Sequence, residues 1–458
     1  MSLTLRTYQT RAISDLRIAY RQGARAPLLV LPTGAGKTVV FAEIVRTASG
    51  RGRRALVLVH RRELILQASA KLRLAGVEHG IIAAGFNLSS NPVQVASVQT
   101  LVRRLPQIDW QPDLIVIDEA HHAAAGSWER VLNHWPNAYR LGVTATPCRL
   151  DGRGLSDAFD HLVHGPSVAD LIECKFLTPA RIFAPPVVAD LSTVRTRAGD
   201  YATDQAATAM DRPSVTGDAI SHYQRLAEAQ QAIAFCCNIA HANSVCAAFL
   251  AAGIRAVLLV GTTENRDQIV ADFGAGAVQI LVTVDVVSEG FDVPAASCAI
   301  MLRPTQSESL YLQQVGRVLR PAAGKAAALI LDHVGNVHRH GFPDDHREWS
   351  LADRPRLGSR SGPAAPSVRT CEKCFAAFKP QPICPCCGAI AQPSAREIKQ
   401  REGELAELSR QALAQARARD RKQQGRARTL SELMAIAKQR GYSPGWAYKV
   451  HNARSRSA

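Results

Sequence analysis

Three short stretches hold residues whose types and spacing could do chemistry. In the first, an apolar run "PLLVL" (27–31) leads straight into "PTGAGKT" (32–38). Gly34 and Gly36 let the backbone from Thr33 through Ala35 wrap a phosphate chain with its N–H groups turned inward. Lys37 can then reach β- and γ-phosphates while the Thr38 hydroxyl ligates Mg²⁺, which calls for a nucleoside triphosphate. The strict eight-residue form of this loop begins with Gly; here that position is Leu31. In the second stretch, "LIVIDEAHH" (114–122), an apolar strand ends in two carboxylates. Alone, such a pair is often no more than a polar strand end. Beside a phosphate loop, Asp118 orients the Mg²⁺ shell and Glu119 polarises the attacking water as general base. His121 can report the state of the γ-phosphate to its neighbours, while His122 reads as a surface histidine.

The third stretch is "CEKCFAAFKPQPICPCCG" (371–388), which holds five of the chain's eleven cysteines. Cys371 and Cys374 form one C-x2-C knuckle; Cys384 and Cys387 form another, stiffened by Pro385 and followed by Gly388, which permits a tight turn. Four thiolates at this spacing suit a tetrahedral Zn²⁺ with no open position, so the metal is structural. A register using Cys386 gives C-x-C, a poorer knuckle, and a redox pair is the other reading. So short a segment cannot bury a core of its own, and metal binding would supply its folding energy.

These residues need elements to position them. Apolar runs recur at 27–32, 55–60, 93–98, 114–120 and 140–146, separated by helix-compatible stretches. A second series follows at 232–236, 256–260, 278–284, 298–303 and 327–333, with a looser polar stretch at about 181–215 between them. Near-continuous apolar strands alternating with helices indicate parallel sheets buried on both faces. The fold class is therefore α/β with two tandem parallel-sheet domains, 1–178 and 179–350. A Pro/Gly/Ser/Arg linker (351–369), the cysteine segment (370–392) and a basic, helical tail (393–458) complete the division. In the tail, Thr429 and Glu432 read as a capping box ahead of Leu433, Ile436 and Ala437, and "GYSPG" precedes Trp446, Tyr448 and Val450, so a small helix–turn–helix unit is expected.

Composition narrows the class of partner. Hydrophobic residues make up 47% and charged residues 21%, as in ordinary globular protein. The net charge is +16, and the tail alone carries 15 basic against 6 acidic residues, so a polyanion is the expected partner. A polar N-terminus and the lack of any long apolar run speak against a secretory signal and a membrane span. The six scattered cysteines suit reduced thiols in a cytoplasmic protein.

Taken in order, the motifs resemble those of superfamily 2 helicases of the DEAD/DEAH-box type, over about residues 1–342. "LRTYQ" (5–9) resembles the adenine-reading motif, which puts Gln9 on the adenine edge with Arg6 nearby. "LVHRRELILQ" (58–67) and "ASVQTL" (96–101) sit where the family contacts the nucleic-acid backbone, implicating His60, Arg61, Arg62 and Gln99; Arg61 and Arg62 also read as ordinary surface charges. "TATP" (144–147) resembles the coupling motif, with Thr144 and Thr146. "TVDVVSEGFDVP" (283–294) resembles the motif that brings Gly290 and Asp292 near the nucleotide and Thr283 near nucleic acid. "QQVGRVLR" (313–320) matches the motif in which Gln313 couples and Arg317 and Arg320 act as arginine fingers. The cysteine segment after the motor, with "LRPTQSESLYLQQVGRVLRP" (302–321), further resembles bacterial RadD-like helicases and their prophage relatives. That resemblance implies two RecA-like lobes, ATP and Mg²⁺ between them, and DNA rather than RNA as the track, in repair or recombination. An RNA helicase, or an ATPase that clamps without unwinding, remains the alternative. A protein partner through the zinc segment or tail is a further expectation. "DLIECK" offers Glu173 and Lys175 as half a nuclease motif, but without a strand or a distant Asp to complete it.

Overall fold

We describe the protein from a computed structural model covering residues 4–123, 126–149, 153–185, 194–197, 200–210, 213–284, 293–353, 367–390, 427, 429–440, 447–448 and 450–451. Two compact units are present, Met1–Gln392 and Pro393–Ala458.

The first sheet of the larger unit contains β1 (Pro27–Val30), β2 (Ala55–Val59), β3 (Gly80–Ile82), β4 (Val93–Ser97), β5 (Leu114–Asp118), β6 (Tyr139–Thr144) and β7 (His161–His164). They lie in the order β3-β4-β2-β5-β6-β1-β7, with every pairing parallel. The apolar runs become strands because both faces need covering. Side chains alternate across a strand, so Leu29, Val57 and Val116 join one hydrophobic cluster while Leu28, Leu56 and Ile117 join another. Helices α1 (Thr7–Arg21), α2 (Lys37–Ser49) and α3 (Arg62–Leu74) cover the first of these faces. Trp128, Val131 and Leu132 from the helix Gly126–His134 cover the second.

The second sheet contains β8 (Ala180–Phe183), β11 (Ala232–Phe235), β12 (Ala256–Leu259), β13 (Ile280–Thr283), β14 (Cys298–Met301) and β15 (Ala328–Asp332). Between β8 and β11 lies a small hairpin, β9 (Thr196–Arg197) with β10 (Asp200–Tyr201). The order is β12-β13-β11-β14-β15-β8, again parallel. The stretch expected to be loose, 181–215, thus begins with a sheet strand and also holds the helix Thr203–Met210. Burying Ile182 and Phe183 against the sheet outweighs the polar look of "ARIF".

Two further features depart from an independent linker and ribbon. After the second sheet, the chain returns to the first: Leu351 O accepts N–H bonds from Leu155 (2.8 Å) and Ser156 (3.1 Å), and Asp353 Oδ1 accepts the Gly154 N–H at 2.8 Å. A Cβ on Gly154 would lie 2.0 Å from Leu351 O, so only glycine admits this crossing. The rest of the linker, 354–366, lies outside the described residues. Next, β16 (Arg369–Thr370) and β17 (Ala376–Phe378) form a hairpin whose β17 pairs antiparallel with β8, extending the second sheet. Cys371, Ala376, Phe378 and Cys384 belong to the same hydrophobic cluster as Ile280, Val282 and Ile300, so the ribbon borrows the core it cannot build itself.

In the smaller unit, the helix Leu430–Arg440 is capped reciprocally: Glu432 N donates to Thr429 Oγ1 (3.3 Å) and Thr429 N to Glu432 Oε2 (3.0 Å). Leu433, Ile436 and Ala437 pack with Ala427 and Ala447. The expected turn at 441–446, Trp446 and the stretch 391–426 lie outside the described residues. Among the described residues, no helix is long and apolar enough to cross a membrane.

Candidate active site and cysteine cluster

The phosphate loop leaves β1 and enters α2 through Gly36, which sits in the left-handed region (φ 81°) as the helix N-cap; Gly34 is there too (φ 89°). Lys37 is the first residue of α2, and its Nζ lies 3.7 Å from Glu119 Oε1 with both side chains about nine-tenths buried. An extended strand would send Asp118 and Glu119 to opposite faces. Instead Glu119 is left-handed (φ 48°, ψ 56°), which breaks the alternation just past β5. Strain of this kind persists only where the surroundings over-determine it, and it clusters at active sites. Asp118 Oδ1 accepts the Glu119 N–H at 3.0 Å, fixing that carboxylate at the strand end.

From Glu119 a chain of polar contacts runs out of the cleft. His121 Nδ1 is 3.5 Å from Glu119 Oε2 and 3.2 Å from Thr144 Oγ1. The Thr144 hydroxyl donates to Thr146 O (2.9 Å) and accepts the Thr146 N–H (3.2 Å). The Thr146 hydroxyl bonds the Ser309 hydroxyl on the helix Glu308–Val318, which belongs to the second sheet's half of the molecule. That helix also carries Gln313 and Arg317, both buried, and Arg320 follows just beyond its end. The two halves meet at the phosphate loop: a Cβ on Gly316 would come within 2.5 Å of Thr33 Cβ, and one on Gly34 within 3.4 Å of Arg320 Cγ. Lys325 Nζ donates to Arg320 O (2.8 Å) and Ala296 O (2.7 Å), holding the chain after the arginines. Burial, with Arg320 nearby, pulls this ammonium down to about 8.

Comparison with known proteins decides the family. Residues 2–149 match the family described as type III restriction enzyme, res subunit, and residues 217–322 match the helicase conserved C-terminal domain. A 51.5 kDa protein of a Lactococcus phage is 34% identical over 360 residues, covering 78% of this chain and 76% of its own length. The chain belongs to the superfamily 2 helicases. IRC3 of Saccharomyces cerevisiae, named as an ATP-dependent helicase, is 32% identical over 356 residues, 72% of this chain and 51% of IRC3. The chain thus spans about half of this yeast relative. XPB2 of Sulfurisphaera tokodaii, named as a DNA 3'-5' translocase, is 26% identical over 361 residues, covering 69% of this chain and 79% of XPB2. The helicase has the two parallel-sheet, RecA-like lobes of its family.

Other expected residues lie as follows in the helicase. Gln9 is buried; its amide donates to Ala35 O at 3.0 Å and accepts the Arg6 N–H at 3.0 Å, so it braces the phosphate loop. Tyr8 donates to the same carbonyl at 2.8 Å. The Arg6 guanidinium lies 4.8 Å over the Phe176 ring, which also meets the Tyr8 ring edge-on at 5.2 Å. Tyr8 and Ser309 stand inside quoted stretches but neither is singled out there, and nothing in the sequence points to Phe176; the fold alone brings these contacts in. His60, Arg61 and Arg62 stand at the end of β2 and the start of α3, with Arg62 and Gln99 exposed. His122, expected at the surface, is instead part-buried between His60 (4.3 Å) and His121 (4.2 Å). Thr283 requires a correction: it is fully buried and its hydroxyl donates to Leu259 O at 2.9 Å, so the sheet uses the group expected to meet nucleic acid. Gly290 and Asp292 lie outside the described residues. Glu173 ends a short helix rather than a strand, which removes the half-nuclease reading.

The cysteine cluster is built from two equivalent knuckles. Phe375 N donates to Cys371 O (2.8 Å) and Gly388 N to Cys384 O (3.0 Å); Cys371 N donates to Ala376 O (2.9 Å) and Cys384 N to Ala389 O (2.8 Å). Each knuckle closes on a left-handed residue, Phe375 (φ 61°) and Gly388 (φ 70°). The Sγ atoms of Cys371, Cys374, Cys384 and Cys387 all lie within 4.8 Å of one another, with the Cys371–Cys387 pair at 3.6 Å and Cys374–Cys384 at 3.7 Å. Four sulfurs placed tetrahedrally at ~2.3 Å from one ion are spaced by about 3.8 Å. The donor set and spacing therefore fit a single tetrahedral metal. Cys386 stays outside, exposed, where it accepts from the Arg181 guanidinium on β8 at 3.5 Å.

Proposed function

We propose that this helicase hydrolyses ATP in the cleft between its lobes to move along DNA, in repair or recombination. The phosphate loop from Thr33 to Thr38 holds the triphosphate, with Lys37 on its β- and γ-phosphates, and Thr38 and Asp118 are the groups that would hold Mg²⁺. Glu119 draws the proton from the attacking water, and Lys37 Nζ lies 3.7 Å from its carboxylate. Arg317 and Arg320 supply positive charge from the other lobe as charge builds on the transferred phosphoryl group, a contribution of roughly 10³–10⁵ in rate where such fingers act. Arg6 and Gln9 face the adenine, and Gly290 and Asp292 join on family likeness alone. The His121–Thr144–Thr146 chain, reaching toward Gln313 through its helix, transmits the state of the cleft to the second lobe.

The observation that carries this reading is the meeting of the lobes at the loop, Gly316 on Thr33 and Arg320 on Gly34. Catalytic groups from separate lobes in one cleft tie hydrolysis to closure, and opening after phosphate loss moves the track. His60, Arg61, Arg62 and Gln99 meet the strand backbone, so binding is steeply salt-dependent. DNA is favoured because XPB2 is named as a DNA translocase and because the motifs resemble RadD-like helicases. We assign Cys371, Cys374, Cys384 and Cys387 to a structural Zn²⁺, which would lock the two knuckles together and leave no position for water. The site lies in the cytoplasm, where the scattered thiols remain reduced.

ATP turnover should be measured in parallel with single-stranded DNA, duplex DNA, forked DNA and RNA, beside a strand-displacement assay. DNA-stimulated turnover that is lost in Glu119→Gln supports the assignment. Turnover retained in that variant overturns the site, stimulation by RNA alone overturns the track, and turnover without displacement leaves a translocase that does not unwind.

A further inference from the structure

At the end of the first sheet remote from the phosphate loop, a groove of about 590 Å³ opens between the C-terminal halves of α1 and α2. Its floor is apolar, formed by Ile13, Leu16, Ile44 and Leu114. Its rim carries four guanidinium groups, on Arg17, Arg21, Arg51 and Arg53. Three of them, Arg17, Arg21 and Arg51, are exposed and make no ion pair among the described residues. The single carboxylate lining the groove, Asp113, is already shared between Arg53 (3.1 Å) and the Arg54 N–H (2.8 Å). Glu43, the acid near Arg17, is held by both arms of Arg46 at 2.7 Å. The rim is therefore a concentration of excess positive charge around an apolar slot, with Arg17 only partly offset by Glu43.

Charge complementarity requires an anionic occupant, and the slot decides which kind. Single strands gain affinity by stacking bases on open aromatic faces. Tyr139, the exposed ring here, is covered by the Arg25 guanidinium at 4.5 Å and met edge-on by Tyr20 at 5.7 Å. Tyr20 in turn donates its hydroxyl to Arg140 O at 2.7 Å. An apolar floor instead suits an aliphatic or aromatic side chain, while guanidinium forks match carboxylates. Interfaces take most of their energy from such a pairing of a seated apolar anchor with arginine contacts.

We propose that this groove docks an acidic segment of a partner protein, with one apolar side chain seated between α1 and α2 and carboxylates on Arg17, Arg21 and Arg51. The surface is separate from the nucleotide cleft, and the inference stands whether or not DNA is the track. The test is fluorescence anisotropy on the full chain, using a labelled peptide of six aspartates ending in phenylalanine. Reversing Arg17→Glu with Arg51→Glu should weaken binding by about tenfold or more, because each lost arginine removes a charge-assisted hydrogen bond. The same net change placed elsewhere, Arg103→Glu with Arg225→Glu, should leave it within about twofold, and basal ATP turnover should be unchanged in both variants. An aspartate-only peptide should bind about tenfold more weakly. Equal loss in both charge variants, or indifference to the phenylalanine, overturns the proposal. So does a groove variant that loses a single-stranded oligonucleotide while keeping the peptide, which would make the groove a nucleic-acid contact.

Discussion

The two lobes supply the cleft in different ways. The first presents its groups from loops at strand ends, each fixed by its own backbone: Gly34 and Gly36 at positive φ, Glu119 forced into the same region. The second presents Ser309, Gln313, Gly316 and Arg317 from one regular helix, with no unusual backbone among them. Local geometry therefore pre-forms the first half of the site, whereas the second is in place only while the helix sits against the loop. Damage to the first lobe should remove chemistry outright; damage to the second should break the coupling between closure and chemistry.

The largest effect expected on that contrast is from Arg317→Ala. Turnover should fall by about 10³ or more, with ATP binding retained, since Lys37 and the loop are intact; loss of ATP binding instead would show that the second lobe also builds the pocket. Gly316→Ala comes next. Its Cβ would fall 2.5 Å from Thr33 Cβ, and neither neighbour is a flexible chain end, so the lobes must part. Turnover should drop by about tenfold or more while the isolated loop geometry is undisturbed; wild-type turnover would mean that this contact is not part of the active state. Cys371→Ser should lose one equivalent of zinc by metal analysis. Because the cluster shares the second lobe's core, it should also lower that lobe's melting temperature, with basal turnover at low temperature largely kept.

The smallest effect concerns pH. Burial, with His222 stacked alongside at 5.3 Å, drives His333 down to about 3, and burial drives His340 down to about 4. His222 and His338 are lowered for the same reason. All four belong to the second lobe. The unfolded chain takes up these protons near the ordinary imidazole value of ~6.5 and the folded chain only below it, so stability is lost as pH falls from about 6.5 toward 4. Asp332, raised to about 6 by burial, opposes this over part of the window, but it is one group against several. The melting temperature of the second-lobe transition should therefore be lower at pH 5 than at pH 7, and a first-lobe transition that falls further would contradict the assignment.

Legibility followed the same division. All ten apolar runs became strands within a residue or two, because a strand buried on both faces must be apolar almost throughout. Gly34, Lys37 and Glu119 were legible because their chemistry is written in consecutive residues. The strand β8 was not: Arg181 interrupts "ARIF", and that arginine reaches across to Cys386. Phe176, Ser309 and the Leu351 crossing were hidden because each acts on a partner more than a hundred residues away, which no local pattern encodes. Thr283 misled for a related reason. A threonine at a strand end looks like a ligand contact until the neighbouring strand claims its hydroxyl.

The pairing of β17 on β8 has a consequence for how the protein behaves in concentrated solution. Without the hairpin, β8 would be the open margin of a six-stranded parallel sheet, a row of unpaired N–H and C=O groups that can template pairing with another chain. With it, the margin becomes β16, two residues long and too short to recruit a neighbour. On the Zn²⁺ assignment proposed above, the four cysteines would cover this sheet margin as well as fix a local shape: a chain stripped of that ion should first betray itself by clumping, before its catalysis fades.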